Sequence, residues 1–245
     1  MNGQSENKKS TILAYHRVGT IPADGWDTWY RIPEQDFSDQ MEIISNSGWQ
    51  VINLSTFLAG LDQPETMPER SILLTFDDGH KSMREVALPI LQRFGFPAVC
   101  FVPTDHIGTL CEFDKDVEPA EPICDWDDLR ELDRCGIDIQ SHGASHHWLS
   151  LLNHEQMERE FVQSKEVLEA GLGKPVETLA FPYSDSGKDD KAVDAALQQA
   201  GYRAAFLCGG GLRVNELPIR RPLRIDRLAM YRDTDLASTF PESPN

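Results

Sequence analysis

Apolar residues along this chain fall into two kinds of run. Short continuous runs, Ser71–Phe76 (SILLTF) and Ala98–Val102 (AVCFV), are rich in β-branched and aliphatic residues and read as buried strands. Thr11–Tyr15, Gln50–Leu54, Ile137–Gln140, Thr178–Phe181 and Arg203–Leu207 are further strand candidates. Between them lie segments of helical character. Phe37, Met41 and Ile44 recur at i, i+4 and i+7 across Asp36–Asn46, which closes at Gly48. Lys81–Arg93 stops at Gly95, Asp127–Arg134 at Gly136 and Lys188–Ala200 at Gly201. Asn153 can cap a long helix to about Ala170, and Thr56–Leu61 is a shorter one. Residues 103–124 hold prolines, acids and two cysteines, and read as a loop.

Strands alternating with helices of this length imply parallel βαβ units. Many such units close into a barrel, whose chemistry gathers at the C-terminal ends of the strands. The expected fold is therefore α/β, with one barrel domain over residues 11–232. Residues 1–10 and the tail 233–245 are expected to be flexible.

Charge narrows the choice of partner. The 245 residues carry a formal net charge of -17, and phosphate binding needs basic surface, so nucleic acid is not an expected partner. No stretch approaches the ~18 apolar residues of a membrane span. The start, MNGQSENKKSTILAY, lacks the apolar core of a secretory signal, so the expected location is cytoplasmic. The five cysteines, at 100, 111, 124, 135 and 208, are odd in number and form no CxxC pair. That argues against a disulfide framework or a thiolate zinc site.

Three polar clusters close predicted strands. In Thr75-Phe76-Asp77-Asp78-Gly79, adjacent carboxylates would face opposite sides of a continuing strand, but a turn at Gly79 lets both reach one pocket. Like charges this close call for a cation or a proton between them. The plain alternative is a turn that caps the next helix. In Ser141-His142-Gly143-Ala144-Ser145-His146-His147-Trp148, His142 and His146 stand four apart, which on a helical turn would place both imidazoles on one face. Imidazole is a preferred ligand for Zn²⁺ and similar ions. The third cluster is Ala180-Phe181-Pro182-Tyr183-Ser184, where an aromatic after a proline is by itself usually a packing residue. Together they offer two histidines and one aspartate for a metal, with one aspartate left over.

These residues, in this order, resemble the polysaccharide deacetylase family, the chitin and peptidoglycan deacetylase group with the NodB-homology domain. TFDDG at 75–79 resembles its first motif, His142-x-x-x-His146 with Leu149 its second, and Phe181-Pro182-Tyr183 its third. Tyr15-His16-Arg17-Val18 looks most like the branch of biofilm poly-N-acetylglucosamine deacetylases. The resemblance covers roughly residues 11–230. It implies an irregular, distorted seven-stranded (β/α) barrel. It also implies a metal-dependent hydrolase that removes N-acetyl groups from an amino sugar or polysaccharide. Asp78, His142 and His146 would hold one divalent ion, Zn²⁺ foremost, with Co²⁺ and Ni²⁺ as alternatives. Asp77 would be the general base, and the backbone N–H near Tyr183 would help stabilise the oxyanion.

The chain departs from the family pattern in three places. Gly143 follows the first histidine, where Ser or Thr is usual. Ala180 stands where an arginine often orients the base. No histidine follows His154, although the last strand usually supplies one as general acid. His16 is the candidate acid in its place, because it follows the first strand. His106 and Trp126 are candidate groove residues, His147 is a lesser candidate ligand, and His80 and His154 read as surface residues at helix starts. The expected partner is a carbohydrate. A small cyclic amide or ureide, or sugar binding without turnover, are the rival readings.

Overall fold

The computed structural model describes residues 8–20, 28, 30–117, 119–209 and 214–240. The chain begins with β1 (Lys9–Tyr15), then β2 (Arg17–Val18) and its partner β3 (Arg31–Ile32). Helix α1 (Glu34–Asn46), β4 (Gln50–Val51) and α2 (Leu54–Asp62) follow. β5 (Arg70–Phe76) leads through a π-helical turn (Met83–Ala87) into α3 (Leu88–Phe94) and β6 (Ala98–Val102). After the long loop come α4 (Trp126–Arg134), β7 (Ile137–Ser141), α5 (His154–Leu172), β8 (Thr178–Ala180) and α6 (Asp190–Ala200). The chain ends with β9 (Ala204–Cys208), β10 (Asn215–Glu216), β11 (Ile225–Ala229) and α7 (Leu236–Thr239).

Pairing runs β1–β11–β9–β8–β7–β6–β5, and β5 returns to β1 in register from Lys9↔Arg70 to Tyr15↔Phe76. These parallel strands close the seven-stranded barrel that the sequence led us to expect. Its distortion has a visible source. β6 engages only the upper part of β5 (Thr75↔Val99), and β4 takes the lower part (Gln50↔Ser71).

Alternation along each strand divides two apolar layers. Ile12, Leu73, Val99, Phe101 and Phe206 belong to one cluster, which α2 joins with Phe57 and Leu58. Phe57 lies 5.8 Å from Phe206, centroid to centroid. Their neighbours Leu13, Leu74, Cys100 and Ala205 belong to the second cluster, under the outer helices. Trp126 packs in that outer layer: a Cβ on Gly171 of α5 would come within 2.1 Å of its ring. It is therefore a helix-packing residue rather than part of a substrate groove.

Several boundaries move for local reasons. Asn53 accepts the Thr56 N–H, so α2 begins at Leu54 and cuts the expected strand Gln50–Leu54 short. Lys9 and Ser10 belong to β1 rather than to a flexible start, while residues 1–7 lie outside the described residues. The segment after Asp233 was expected to be loose. It carries α7 instead, because Leu236 and Phe240 are buried, the latter edge-on to Trp49 at 5.0 Å. Residues 241–245 lie outside the described residues. β11 was not anticipated as an element. Among the described residues no helix is long and apolar enough to cross a membrane.

Candidate metal centre and active site

The C-terminal strand ends converge on a pocket of about 320 Å³ lined by His16, Asp77, Asp78, His142, His146 and Tyr183, among others. All six residues proposed from the sequence therefore meet in one place. Asp77 is anchored by its N–H, which donates to the Tyr15 carbonyl at 2.9 Å. Asp78 then turns left-handed (φ 69°), followed by Gly79 (φ 67°). The turn brings two consecutive carboxylates to one side of the barrel mouth. A side chain at Gly79 would also press on Val102, 3.1 Å away.

The imidazoles arrive by a different route from the one expected. Residues 142–148 form no helical turn. Gly143 (φ 74°) and His146 (φ 57°) both take left-handed conformations, and the chain bends at Ala144 and Ser145 between the two histidines. Asp78 Oδ1 lies 3.3 Å from His142 Nε2 and 3.1 Å from His146 Nε2. His142 Nδ1 is 2.8 Å from the Ala180 carbonyl, which fixes the proton there and leaves Nε2 as a lone pair facing the centre. One donor atom from each of the three residues lies within 4.8 Å of the others, and all three residues are buried. Two imidazoles and a carboxylate, with pocket space beside them, fit a catalytic ion of the Zn²⁺ type.

Charge within the centre is mutually adjusted. Burial alone would raise Asp78, but the imidazoles of His142, His146 and His80 packed around it hold it well below the ordinary carboxylate range. Burial pushes His146 down to about 4. Burial also depresses His142, but Asp78 and Asp77 outweigh it and raise the group above its usual value.

Arg227, on β11, is the largest feature the sequence reading missed. Its Nη1 donates to Asp77 Oδ1 at 2.7 Å and its Nη2 to Oδ2 at 2.6 Å, both buried. Nη1 also reaches Thr75 Oγ1 at 3.0 Å. This bidentate pair holds the Asp77 carboxylate in one orientation. Burial would raise Asp77, yet Arg227, His142 and His16 leave it below its usual value. The available signal was an arginine in the alternating apolar stretch Ile225–Ala229.

His16 Nε2 stands 3.9 Å from Asp77 Oδ2. Burial lowers its pKa, while Asp78 and Asp77 pull it partly back. Tyr183 and Ser184 have φ of 54° and 57°, so the non-glycine left-handed residues among the described chain are Asp78, His146, Tyr183 and Ser184. All four belong to the three polar clusters, and backbone strain of this kind gathers at functional sites.

Other histidines are redistributed. His80, expected at the surface, is buried: its Nε2 accepts from Arg17 Nε at 3.0 Å and lies 3.4 Å from Asp78 Oδ2. It sits directly behind a candidate ligand. His106 faces the Ser145 carbonyl at 3.3 Å and does not line the pocket. His147 is exposed and stays outside the donor cluster. His154 is exposed at the start of α5, as expected. Phe113, from the long loop, stacks on His146 at 3.8 Å, and Trp148 stacks on Tyr183 at 4.4 Å with 4° between planes.

A closed parallel barrel with a carboxylate–imidazole cluster at its C-terminal mouth defines the class as a (β/α)-barrel with a candidate metal-binding triad. The family model for polysaccharide deacetylase matches residues 64–205, and the chain belongs to that family. The chain is 24% identical over 186 residues to a poly-beta-1,6-N-acetyl-D-glucosamine N-deacetylase of Staphylococcus aureus, covering 72% of this chain and 61% of the relative. It spans 63% of the length of the first curated relative it matches, from Bacillus subtilis. The fold is shared with the Streptococcus pyogenes deacetylase PplD, solved with acetate, at TM-score 0.80, 19% identity, 97% of this chain and 100% of that one. It is shared too with IcaB from Ammonifex degensii, at TM-score 0.78, 21% identity, 93% of this chain and 94% of that one.

Proposed function

We propose that this barrel hydrolyses the N-acetyl group of an amino sugar, releasing acetate and a free amine. The observation that carries this reading is the adjacency of a braced carboxylate, Asp77, to the three donors Asp78, His142 and His146 in one pocket. A divalent ion of the Zn²⁺ type, when bound, supplies Lewis acidity towards water and the acetyl carbonyl. The other steps fall to the chain. Asp77 accepts the proton of the attacking water, and Arg227 keeps its carboxylate ionised and oriented. The Tyr183 N–H donates to the oxygen of the tetrahedral intermediate. His16, across from Asp77, gives a proton to the leaving nitrogen as the C–N bond breaks.

Two supports favour a sugar over a small cyclic amide. The Staphylococcus relative is named for an N-acetylglucosamine polymer. In addition, Trp148 lines the pocket backed by Tyr183, yet is 47% exposed, which leaves an aromatic surface at the mouth where a pyranose ring can rest.

The test is acetate release from β-1,6-linked N-acetylglucosamine oligomers in the presence of Zn²⁺, with a cyclic ureide as competitor. Turnover of the ureide alone would sink the sugar reading. His16→Ala should slow acetamide hydrolysis much more than hydrolysis of an activated acetate ester, whose leaving group needs no proton. Equal losses on both would assign His16 to structure.

A further inference from the structure

Glu160, on α5, is a nearly buried carboxylate that lies outside the pocket and takes no part in the chemistry above. Its Oε2 accepts the Ala144 N–H at 2.7 Å and the Ser145 N–H at 2.8 Å. Its Oε1 accepts the Ser145 hydroxyl at 2.5 Å. All three donors lie between His142 and His146. The same turn is tied to α5 a second time. The Gly143 N–H donates to Ser141 Oγ at 3.1 Å, Ser141 Oγ lies 2.7 Å from Ser164 Oγ, and Ser164 Oγ donates to the Glu160 carbonyl at 2.6 Å. A Cβ on Gly143 would come 3.0 Å from Glu160 Oε2, at φ 74°, so glycine and carboxylate fit as a pair.

The turn needs such a clamp. His146 holds a left-handed backbone, which persists only where its surroundings impose it. Without the carboxylate, two amide donors of the turn lose their partner, and a relaxing turn swings His146 Nε2 away from Asp78. We propose that Glu160 is a positioning residue that sets the cation affinity of the Asp78–His142–His146 centre through the geometry of this turn. The proposal rests on the reading of that triad as a cation site.

The test is Zn²⁺ affinity, measured by competition with a chromophoric chelator on the metal-free full chain, alongside thermal melting of the same metal-free samples. Removing a group that orients a ligand from outside typically costs about 10–100-fold in metal affinity, and Glu160→Ala should raise the Zn²⁺ dissociation constant by about that much. Glu160→Gln should cost clearly less. Its amide oxygen can still accept both N–H groups, and Ser145 Oγ can turn to accept from the amide nitrogen. If Glu160→Ala fails to fold, Glu160→Gln compared with Ser145→Ala carries the test, each with a smaller rise expected. Wild-type affinity in these variants, with only a lower melting temperature, would overturn the proposal and leave Glu160 a helix-packing group. A wild-type chain that binds no Zn²⁺ would overturn the triad reading itself, and the two failures are told apart by the wild-type titration alone.

Discussion

The two ends of the barrel are built on opposite principles. At the foot, α2 inserts Phe57 and Leu58 beneath Leu73, Val99 and Phe206, and shape alone organises the packing. At the mouth, Asp77, Asp78, His142, His146 and Arg227 are all buried, and the backbone is left-handed at Asp78, His146, Tyr183 and Ser184. The foot gains from burial at roughly 25 cal/mol per Å². The mouth gives up part of that gain to hold charges out of water, which is tolerable only because each is paired. The contrast suggests that stability resides at one end and reactivity at the other.

Changes at either end should separate the two properties. Asp77→Asn should have the largest effect on turnover, a fall of at least ~10²–10⁴-fold with Zn²⁺ still bound, read by acetate release and elemental analysis. Retained turnover would remove Asp77 from the role of base. Arg227→Met comes next. Breaking a buried pair typically costs about 3–5 kcal/mol, to be read by denaturant unfolding. The pH dependence should change with it. Asp77 is depressed in the folded protein, so in wild type its contribution is present above the unfolded carboxylate value of about 3.9 and fades as pH falls below it. Without Arg227, burial raises Asp77 instead, and the acid limb of kcat/KM should move to higher pH. An unmoved limb would mean that the guanidinium does not tune the base. Phe57→Ala should affect turnover least. It should cost about 3–5 kcal/mol of stability while Zn²⁺ affinity stays as in wild type, and a large loss of affinity would show that the two ends are coupled.

Legibility in the sequence followed the same divide. Ser71–Phe76 and Ala98–Val102 were readable because a strand buried on both faces is apolar throughout. The motif residues were readable because strand ends announce themselves by a change from apolar to polar. Arg227 was hidden because a lone cation in a short strand looks like an edge residue until its partner, 150 positions earlier, is known. Glu160 was hidden for a related reason: on α5 it is one more acid among several, and only the tertiary structure turns it towards residues 144 and 145. The left-handed His146 was out of reach as well, since spacing alone suggested a helical turn.

Ring closure has a consequence for the order in which the protein is made. β1 lies between β5 and β11, so Asp77 and Arg227 face each other across the first strand of the chain while coming from its middle and its end. During synthesis the carboxylate emerges long before the guanidinium that compensates it. Until the last strand docks, Asp77 must remain hydrated or protonated, and the mouth cannot close around it. Maturation of the site is thus tied to the arrival of residue 227, and a nascent chain halted before β11 would carry every motif residue without the guanidinium that braces Asp77.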